Sequence, residues 1–253
     1  MADRTPVVLL HGALGSRSQF APLASALESR CAPHAFDFLG HGGSTLTGPL
    51  TVERLVEQTA DYVRTHGLAP VALFGYSLGG YVALQLAARG RARTVVAFAP
   101  AGGWARGDES YRRTLGVQRS LVEASRSAAL HAEALVASPQ DRRRATQFIT
   151  TRFEHIPAEL LAHQIRGVAG CDAAFALIDH ALREGWSLDA EKIACPVRIV
   201  WGTDDALLPW PAAAARFRDE WLPHADWVEL DGVGHCPQLD VPLVAAQLIL
   251  GFT

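Results

Sequence analysis

Short apolar runs alternate with stretches of helical periodicity along most of the chain. The apolar runs predict strands at residues 7–10, 35–38, 71–74, 94–99, 197–201 and 226–230. The segments between and after them predict helices at residues 19–29, 52–66, 80–89, 211–221 and 242–252. Because most of the strand runs are apolar throughout, they indicate burial on both faces of a parallel sheet. The pattern predicts a doubly wound α/β fold, with a mostly parallel sheet flanked by helices.

The middle of the chain interrupts this alternation. Apolar residues recur there at helical spacing at residues 115–136, 145–153, 160–168 and 173–182. Breaks are predicted at Ser138-Pro139, Pro157 and Gly170. We therefore expect a core formed by residues 1–102 and 189–253, with a helical insertion at residues 103–188. The periodicity leaves open whether the insertion covers a functional site or packs elsewhere.

Length and charge narrow the functional classes. A chain of 253 residues that is 49% hydrophobic can bury one large core. The formal net charge of -3 gives no attraction to nucleic acid, and we interpret the run at residues 142–144, three arginines, as a solvated helix face. No stretch approaches the roughly 20 apolar residues of a membrane span. We expect neither a nucleic-acid partner nor a membrane-spanning segment.

The cysteines give no sign of a metal site. Metal-ligand spacing is absent among Cys31, Cys171, Cys195 and Cys236. The amino-terminal residues also lack the apolar segment of a signal peptide. We therefore expect a cytoplasmic protein with reduced thiols and no bound metal.

Ser77 lies in the string Gly75-Tyr76-Ser77-Leu78-Gly79, between the apolar run at residues 71–74 and the predicted helix at 80–89. A Gly-x-Ser-x-Gly string at a strand-to-helix turn holds the serine in a strained backbone that lifts its hydroxyl out of the sheet. The flanking glycines are needed because side chains there would collide across the turn. This setting predicts that Ser77 is a nucleophile.

A serine hydroxyl needs a base, and the base needs an orienting acid, because the hydroxyl alone is a weak nucleophile at neutral pH. Of the ten histidines, His235 has the best setting, in a loop between the run at residues 226–230 and the last predicted helix. The acid is expected in the turn after the run at residues 197–201, where Asp204 and Asp205 are adjacent. Their position alone does not decide between the two aspartates.

These motifs resemble the α/β-hydrolase superfamily, which has the same order of serine, acid and histidine along the chain. The acid turn of that superfamily commonly runs Gly-x-x-Asp-x-x-x-Pro. The resemblance therefore selects Asp205, which stands at that spacing between Gly202 and Pro209. A further string, Asp-Phe-Leu-Gly-His-Gly-Gly-Ser at residues 37–44, matches a loop that is structural in the superfamily.

The resemblance also carries expectations about architecture. The superfamily sheet usually has eight strands and begins with an antiparallel pair. Here the run at residues 7–10 begins too early to leave room for that pair, so we expect about six parallel strands. The insertion at residues 103–188 is implied to be a helical lid over the active site.

Two backbone amides are implied to form an oxyanion hole. One is the N–H of Leu78, which follows the nucleophile and gains from the positive end of its helix dipole. The other is the N–H of Ala13, in the turn His11-Gly12-Ala13 after the first strand. The residues expected to line a mostly apolar substrate pocket are Leu14, Tyr76, Trp104, Leu207 and Leu208, with Trp186 as a further candidate wall.

Taken together, the residues and the resemblance predict a serine hydrolase that cleaves small carboxylic esters through an acyl-enzyme. Ser77, His235 and Asp205 form the predicted triad, and no cofactor is needed. A serine at this turn argues against the haloalkane dehalogenase and epoxide hydrolase branches, which use an aspartate there.

Three alternatives remain open. One is a carbon–carbon bond hydrolase of dienoate ring-cleavage products, a branch in which a Trp often follows the histidine, where this chain has Cys236. The second is a cofactor-free perhydrolase, which shares the triad. The third is a receptor that binds a small ligand with little turnover. The sequence predicts neither the physiological substrate and its chain length nor the oligomeric state.

Overall fold

Six parallel strands form a single sheet in the computed structural model, which describes residues 4–253. The strands are β1 (Pro6–Leu10), β2 (Ala32–Ala35), β3 (Val71–Tyr76), β4 (Ala92–Phe98), β5 (Val197–Gly202) and β6 (Asp226–Leu230). Their order across the sheet is β2-β1-β3-β4-β5-β6, and every neighbouring pair is parallel. The predicted α/β fold with six parallel strands is confirmed, although residues 1–3 of the predicted core lie outside the described part.

Helices cover both faces of this sheet. They are α1 (Ala24–Glu28), α2 (Val52–Thr65), α3 (Leu78–Ala88), α4 (Tyr111–Ala128), α5 (Pro139–Thr146), α6 (Ala158–Ala169), α7 (Ala174–Glu184), α8 (Pro237–Asp240) and α9 (Pro242–Leu250). A 3-10 helix lies at Arg17–Leu23, single 3-10 turns lie at Ala129–His131, Ala134–Val136, Ala190–Lys192 and Ala212–Ala214, and a π-helical turn lies at Phe217–Trp221. Within residues 4–253, no helix is both long enough and apolar enough to cross a bilayer.

The apolar strands divide the core into two layers. Successive side chains of a strand point to opposite faces, so Val8 and Leu10 join one buried cluster with α2 and α3. Val7 and Leu9 join the other cluster, which includes Ile249 of α9. All six residues of β3 are buried. The strand that leads to Ser77 is therefore the most enclosed part of the sheet.

The two edges of the sheet are short strands. β2 has four residues and contains Pro33. β6 has five residues, of which Asp226 and Glu229 are exposed.

The strand order reverses between β1 and β3, because β2 lies on one side of β1 and all later strands lie on the other. In open α/β sheets, ligands bind at the carboxyl ends of the strands at such a reversal.

The inserted segment between β4 and β5 contains α4 to α7, and α4 packs against both α6 and α7. The predicted helix at residues 145–153 is wrong: α5 begins at Pro139 and ends at Thr146. The helix begins earlier because the Ser138 hydroxyl accepts a hydrogen bond from the N–H of Asp141 (3.1 Å), and proline is favoured in a first helical turn. The Ser-Pro pair at the predicted break therefore also starts the next helix.

Candidate active site

Ser77 lies at the sharp turn between β3 and α3. Its backbone has φ 53° and ψ -117°, a conformation that is strained for a residue with a side chain. The N–H of Ser77 donates to the carbonyl of Phe98 (2.8 Å), which ties the turn to β4. A Cβ on Gly75 would overlap the backbone of Gly79, and one on Gly79 would overlap the carbonyl of Leu10. The two glycines therefore permit the close approach that this turn requires.

His235 is paired with Asp205. The His235 Nδ1 lies 2.7 Å from the Asp205 Oδ2, and the side chains are 1% and 0% exposed. The other carboxylate oxygen of Asp205 accepts hydrogen bonds from the N–H groups of Leu207 (2.9 Å) and Leu208 (2.6 Å). These donors fix the carboxylate, so the His235 Nδ1–H donates to it and the Nε2 remains free to accept a proton.

The neighbouring aspartate has a different environment. Asp204 is exposed, and its backbone N–H donates to the carbonyl of Val233 (3.0 Å). A Cβ on Gly202 would overlap the carbonyls of Val233 and Gly234. The glycine at the end of β5 therefore lets the loop that carries His235 pack against the acid turn. Of the two aspartates, Asp205 is the one that contacts the imidazole of His235.

The turn after β1 lies beside Ser77. Ala13 and Leu14 line the same cavity as Ser77, and Leu14 has a positive φ of 62°. A Cβ on Gly12 would overlap the ring of Tyr76. Leu78 is the first residue of α3, so its N–H has no acceptor within the helix. Ala13 and Leu78, whose amides are expected to form an oxyanion hole, each line a cavity that Ser77 also lines.

His11 connects this turn to the segment after β2 through hydrogen bonds of its ring. Its Nε2 accepts from the N–H of Phe38 (3.0 Å), and its Nδ1–H donates to the carbonyl of Gly12 (2.8 Å). Burial, together with the nearby His41, lowers the pKa of His11 to about 3. Both ring nitrogens are engaged and the ring stays neutral, so His11 acts as a structural residue rather than a second base.

Two chambers meet at Ser77. The histidine chamber includes Tyr76, Gln118, Ser125, Gln164, Leu207 and His235 in its lining. The apolar chamber is lined by Leu78, Trp104, Leu115, Leu177, Trp186 and Leu208, among others. Ala13, Leu14, Ser77 and Gln118 line both. All of the residues expected to line a pocket therefore border one chamber or both.

The sequence did not single out Asp240, although it is central to the site. This carboxylate is 2% exposed and accepts from the N–H groups of Gly234 (2.7 Å), Thr151 (3.0 Å) and Arg152 (2.9 Å). It thereby joins the inserted segment to the loop that carries His235. An acidic residue within the otherwise apolar start of the last helices is the signal that could have found it.

Two further contacts fasten the same loop. The N–H of Cys236 donates to the carbonyl of Ile149 (2.8 Å), and the Thr151 hydroxyl donates to the carbonyl of Gly232 (2.8 Å). The Cys236 Sγ and the Tyr76 hydroxyl lie 2.8 Å apart, and burial raises the pKa of both groups. The thiol beside the imidazole is therefore protonated and packs as a neutral group.

The described residues give no basis for a metal centre. Across residues 4–253, no group of three or more His, Cys, Asp or Glu side chains is arranged to hold a metal ion. The four cysteines are all free thiols.

Comparisons with known proteins identify the family of this chain. Residues 7–248 match the model of the Alpha/beta hydrolase family. The chain is 31% identical to the epoxide hydrolase EphH of Mycobacterium tuberculosis, over 71% of this chain and 84% of that protein. It is 29% identical to a Caulobacter protein named "Putative carbamate hydrolase RutD", over 99% of this chain and 91% of that protein.

A solved structure shows the same fold. The carboxylesterase CesB of Bacillus subtilis superposes with a TM-score of 0.73 at 21% identity, covering 100% of this chain and 84% of that one. The family match spans both the sheet and the inserted helices. This chain is a hydrolase of the alpha/beta hydrolase family.

Proposed function

We propose that the protein hydrolyses neutral carboxylic esters by acyl transfer to Ser77. The observation that carries the proposal is the buried His235–Asp205 pair, whose histidine lines the same cavity as a serine on a strained strand-to-helix turn. A serine held in this way has its base and its orienting acid within one site.

The reaction proceeds in two halves. The Ser77 Oγ adds to the ester carbonyl carbon while its proton passes to the His235 Nε2. The tetrahedral intermediate collapses, the bond to the alcohol oxygen breaks, and the imidazolium returns the proton to that oxygen. Water then adds to the acyl-enzyme with its proton going to His235, and Ser77 takes the proton back as the acid leaves.

The remaining groups serve the charge that develops in this reaction. The amides of Ala13 and Leu78 are proposed to donate to the oxyanion, and the helix dipole of α3 adds to the effect at Leu78. Asp205 stabilises the imidazolium and keeps the productive tautomer. No metal or organic cofactor has a step in this scheme.

The lining of the chambers favours a neutral substrate. Among the described residues, no Asp, Glu, Lys or Arg lines either chamber. A dienoate carries a carboxylate, and burying it here without a partner would cost several kcal/mol. This observation, together with Cys236 after the histidine, favours ester hydrolysis over carbon–carbon bond hydrolysis.

The named relatives suggest two other reactions. Epoxide hydrolysis is disfavoured because Ser77 stands where that branch of the superfamily has its aspartate. Carbamate esters would use the same acyl transfer as carboxylic esters, and the apolar chamber favours a carbon substituent over a polar carbamoyl nitrogen.

The inserted helices are proposed to act as a lid. Gln118 of α4 and Leu161 of α6 border the histidine chamber, and Ile178 of α7 borders the apolar chamber. Helices in these positions would exclude water from the acyl-enzyme and shape the substrate pocket. The alternative, an insertion packed away from the site, does not account for these contacts.

The proposal is tested by replacing Ser77 with Ala and assaying a chromogenic ester, a carbamate ester and an epoxide. Wild-type protein should show a burst of alcohol release followed by steady turnover, and a serine-directed phosphonate should label Ser77. The S77A variant should lose both while keeping its circular dichroism spectrum. Ser127→Ala is the matched control, since Ser127 is exposed on α4 and lines neither chamber.

Two results would contradict the proposal. One is phosphonate labelling and ester turnover that persist in the S77A variant. The other is stoichiometric ligand binding without turnover in the wild type, which would indicate the receptor alternative.

A further inference from the structure

The four groups around the reacting carbon have different surroundings at Ser77. In the tetrahedral intermediate, the carbon bears the Ser77 Oγ, the oxyanion, the leaving oxygen and the acyl substituent. The leaving oxygen must approach His235, which gives it a proton. Among the described residues, His235 lines the histidine chamber and not the apolar chamber. The leaving group therefore belongs in the histidine chamber.

The remaining direction around the reacting carbon is available to the acyl substituent. The amides of Ala13 and Leu78 occupy the oxyanion side, and the apolar chamber opens from the same point, with Leu78 in its wall. We infer that the preferred substrate is an ester with a compact apolar acyl group, held in the apolar chamber, and a hydroxyl-bearing alcohol, held in the histidine chamber. The inference rests on the function proposed above and specifies its substrate class.

The apolar chamber fits such an acyl group. Leu115, Leu177 and Ile178 contribute buried aliphatic side chains from α4 and α7. The hydroxyl of Thr114 donates to the carbonyl of Leu207 (2.8 Å) and so is already satisfied. A hydroxylated acyl group would lose its hydration there with few partners in return.

The histidine chamber also has apolar side chains in its wall, but it carries more polar groups than the apolar chamber does. Ser125 and Gln164 bring hydroxyl and amide groups to its wall from α4 and α6, and Gln118 lies in the wall that the two chambers share. The Gln164 Nε2 is buried and has no hydrogen-bond acceptor among the described residues. A hydroxyl on the alcohol part of the ester would supply that acceptor. An unsatisfied buried donor of this kind discriminates strongly between a hydroxylated ligand and its aliphatic analogue.

A pair of isomeric esters tests the orientation directly. Glycerol monobutyrate has an apolar acyl group and a hydroxylated alcohol, whereas butyl glycerate has the same atoms with the two characters exchanged. Each kcat/KM is divided by the rate constant for alkaline hydrolysis of the same ester, which removes the difference in intrinsic reactivity. We expect glycerol monobutyrate to be preferred by about tenfold or more.

Variants assign the preference to each chamber. Gln164→Leu should reduce the ratio of kcat/KM for glycerol monobutyrate over ethyl butyrate by about tenfold. It should not lower the midpoint of unfolding, because the amide nitrogen has no hydrogen bond to lose. Gln140→Leu is the matched control, since Gln140 is exposed on α5 and should leave the ratio unchanged. Leu177→Trp should reduce the ratio of butyrate over acetate esters of glycerol.

The outcomes separate this inference from the proposed function. Equal rates for the two isomers, or a preference for butyl glycerate, would overturn the inference and leave ester hydrolysis standing. The same holds if phenyl acetate is cleaved while both isomers are inert. If no ester gives an acyl-enzyme at all, the proposed function itself is wrong.

Discussion

Asp204 and Asp205 are adjacent in the chain, yet they have opposite environments. Asp204 is exposed, whereas Asp205 is 4% exposed and contacts the His235 Nδ1 at 2.7 Å. The difference arises because the backbone turns after Gly202 and presents the second carboxylate to the N–H groups that follow it. Substitution of the two residues should therefore have contrasting effects.

Asp205→Asn should lower kcat by a factor on the order of 10⁴, because an amide favours the wrong imidazole tautomer. Asp204→Asn, the matched control, should lose less than about tenfold, as most exposed substitutions away from special features do. Steady-state kinetics on a chromogenic ester measure both. An inactive D204N variant beside a D205N variant with normal turnover would reverse the assignment.

Local motifs predict some of these residues and not others. Ser77, Gly75 and Gly79 follow from the steric demands of one turn, so a short string is enough to identify them. Asp205 needed the Gly202 spacing in addition. Gln164 has no such signal, because its position in the site depends on how α6 packs against α4 rather than on its neighbours in the chain.

At the scale of elements, the contacts of residues 147–157 explain why the helix predicted at residues 145–153 does not form. Its backbone groups bond to another part of the chain rather than to a continuing helix: the carbonyl of Ile149 accepts from Cys236, and the amides of Thr151 and Arg152 donate to Asp240. Apolar periodicity cannot reveal such partners. Strands β1, β3, β4 and β5 lie close to their predicted positions, because burial on both faces leaves a continuous apolar run in the sequence. The strand predicted at residues 35–38 is misplaced: β2 ends at Ala35, and its residues are only partly buried, so they leave no such run.

The hydrogen bonds from residues 151, 152 and 234 to the Asp240 carboxylate make Asp240 a positioning residue for His235. Asp240→Asn replaces one carboxylate oxygen by a donor that faces other donors. We expect the free energy of unfolding to fall by about 2 kcal/mol, as for loss of hydrogen bonds to a buried charged group. We also expect kcat to fall more than KM rises, since the imidazole loses its place relative to Ser77 while the chambers keep their lining.

Urea unfolding and steady-state kinetics on the same preparations check this prediction. Asp231→Asn is the control, because Asp231 lies in the same loop and is exposed. A D240N variant with unchanged kcat and unchanged stability would show that the hydrogen bonds to Asp240 do not position the histidine.

At the scale of the whole molecule, two buried histidines make folding sensitive to acid. Burial lowers the pKa of His11 to about 3 and that of His41 to about 4, against 6.5 in the unfolded chain. Below pH 6.5 the unfolded chain therefore binds protons that the folded protein does not. The stability contributed by the neutral rings is fully present above that pH and is lost as the pH falls toward the folded values.

At about pH 5, each histidine should cost roughly 2 kcal/mol of the stability measured near neutral pH. Urea unfolding at several pH values measures the loss. His41→Asn, which can keep the hydrogen bond to the Leu39 carbonyl, should remove about half of the dependence that the two rings produce. His131→Gln, a change of an exposed histidine, should leave the dependence as it is. An H41N variant with the wild-type pH dependence would contradict this account.

The short edge strands have a consequence for how copies of the chain meet at high concentration. An exposed strand edge can pair with another chain and start an aggregate. Here β2 offers four residues and a proline, which has no N–H to give to a new partner. The other edge, β6, carries the exposed carboxylates of Asp226 and Glu229, which repel a second copy of the same strand. The sheet that residues 4–253 form is thus protected at both edges against growth by strand addition.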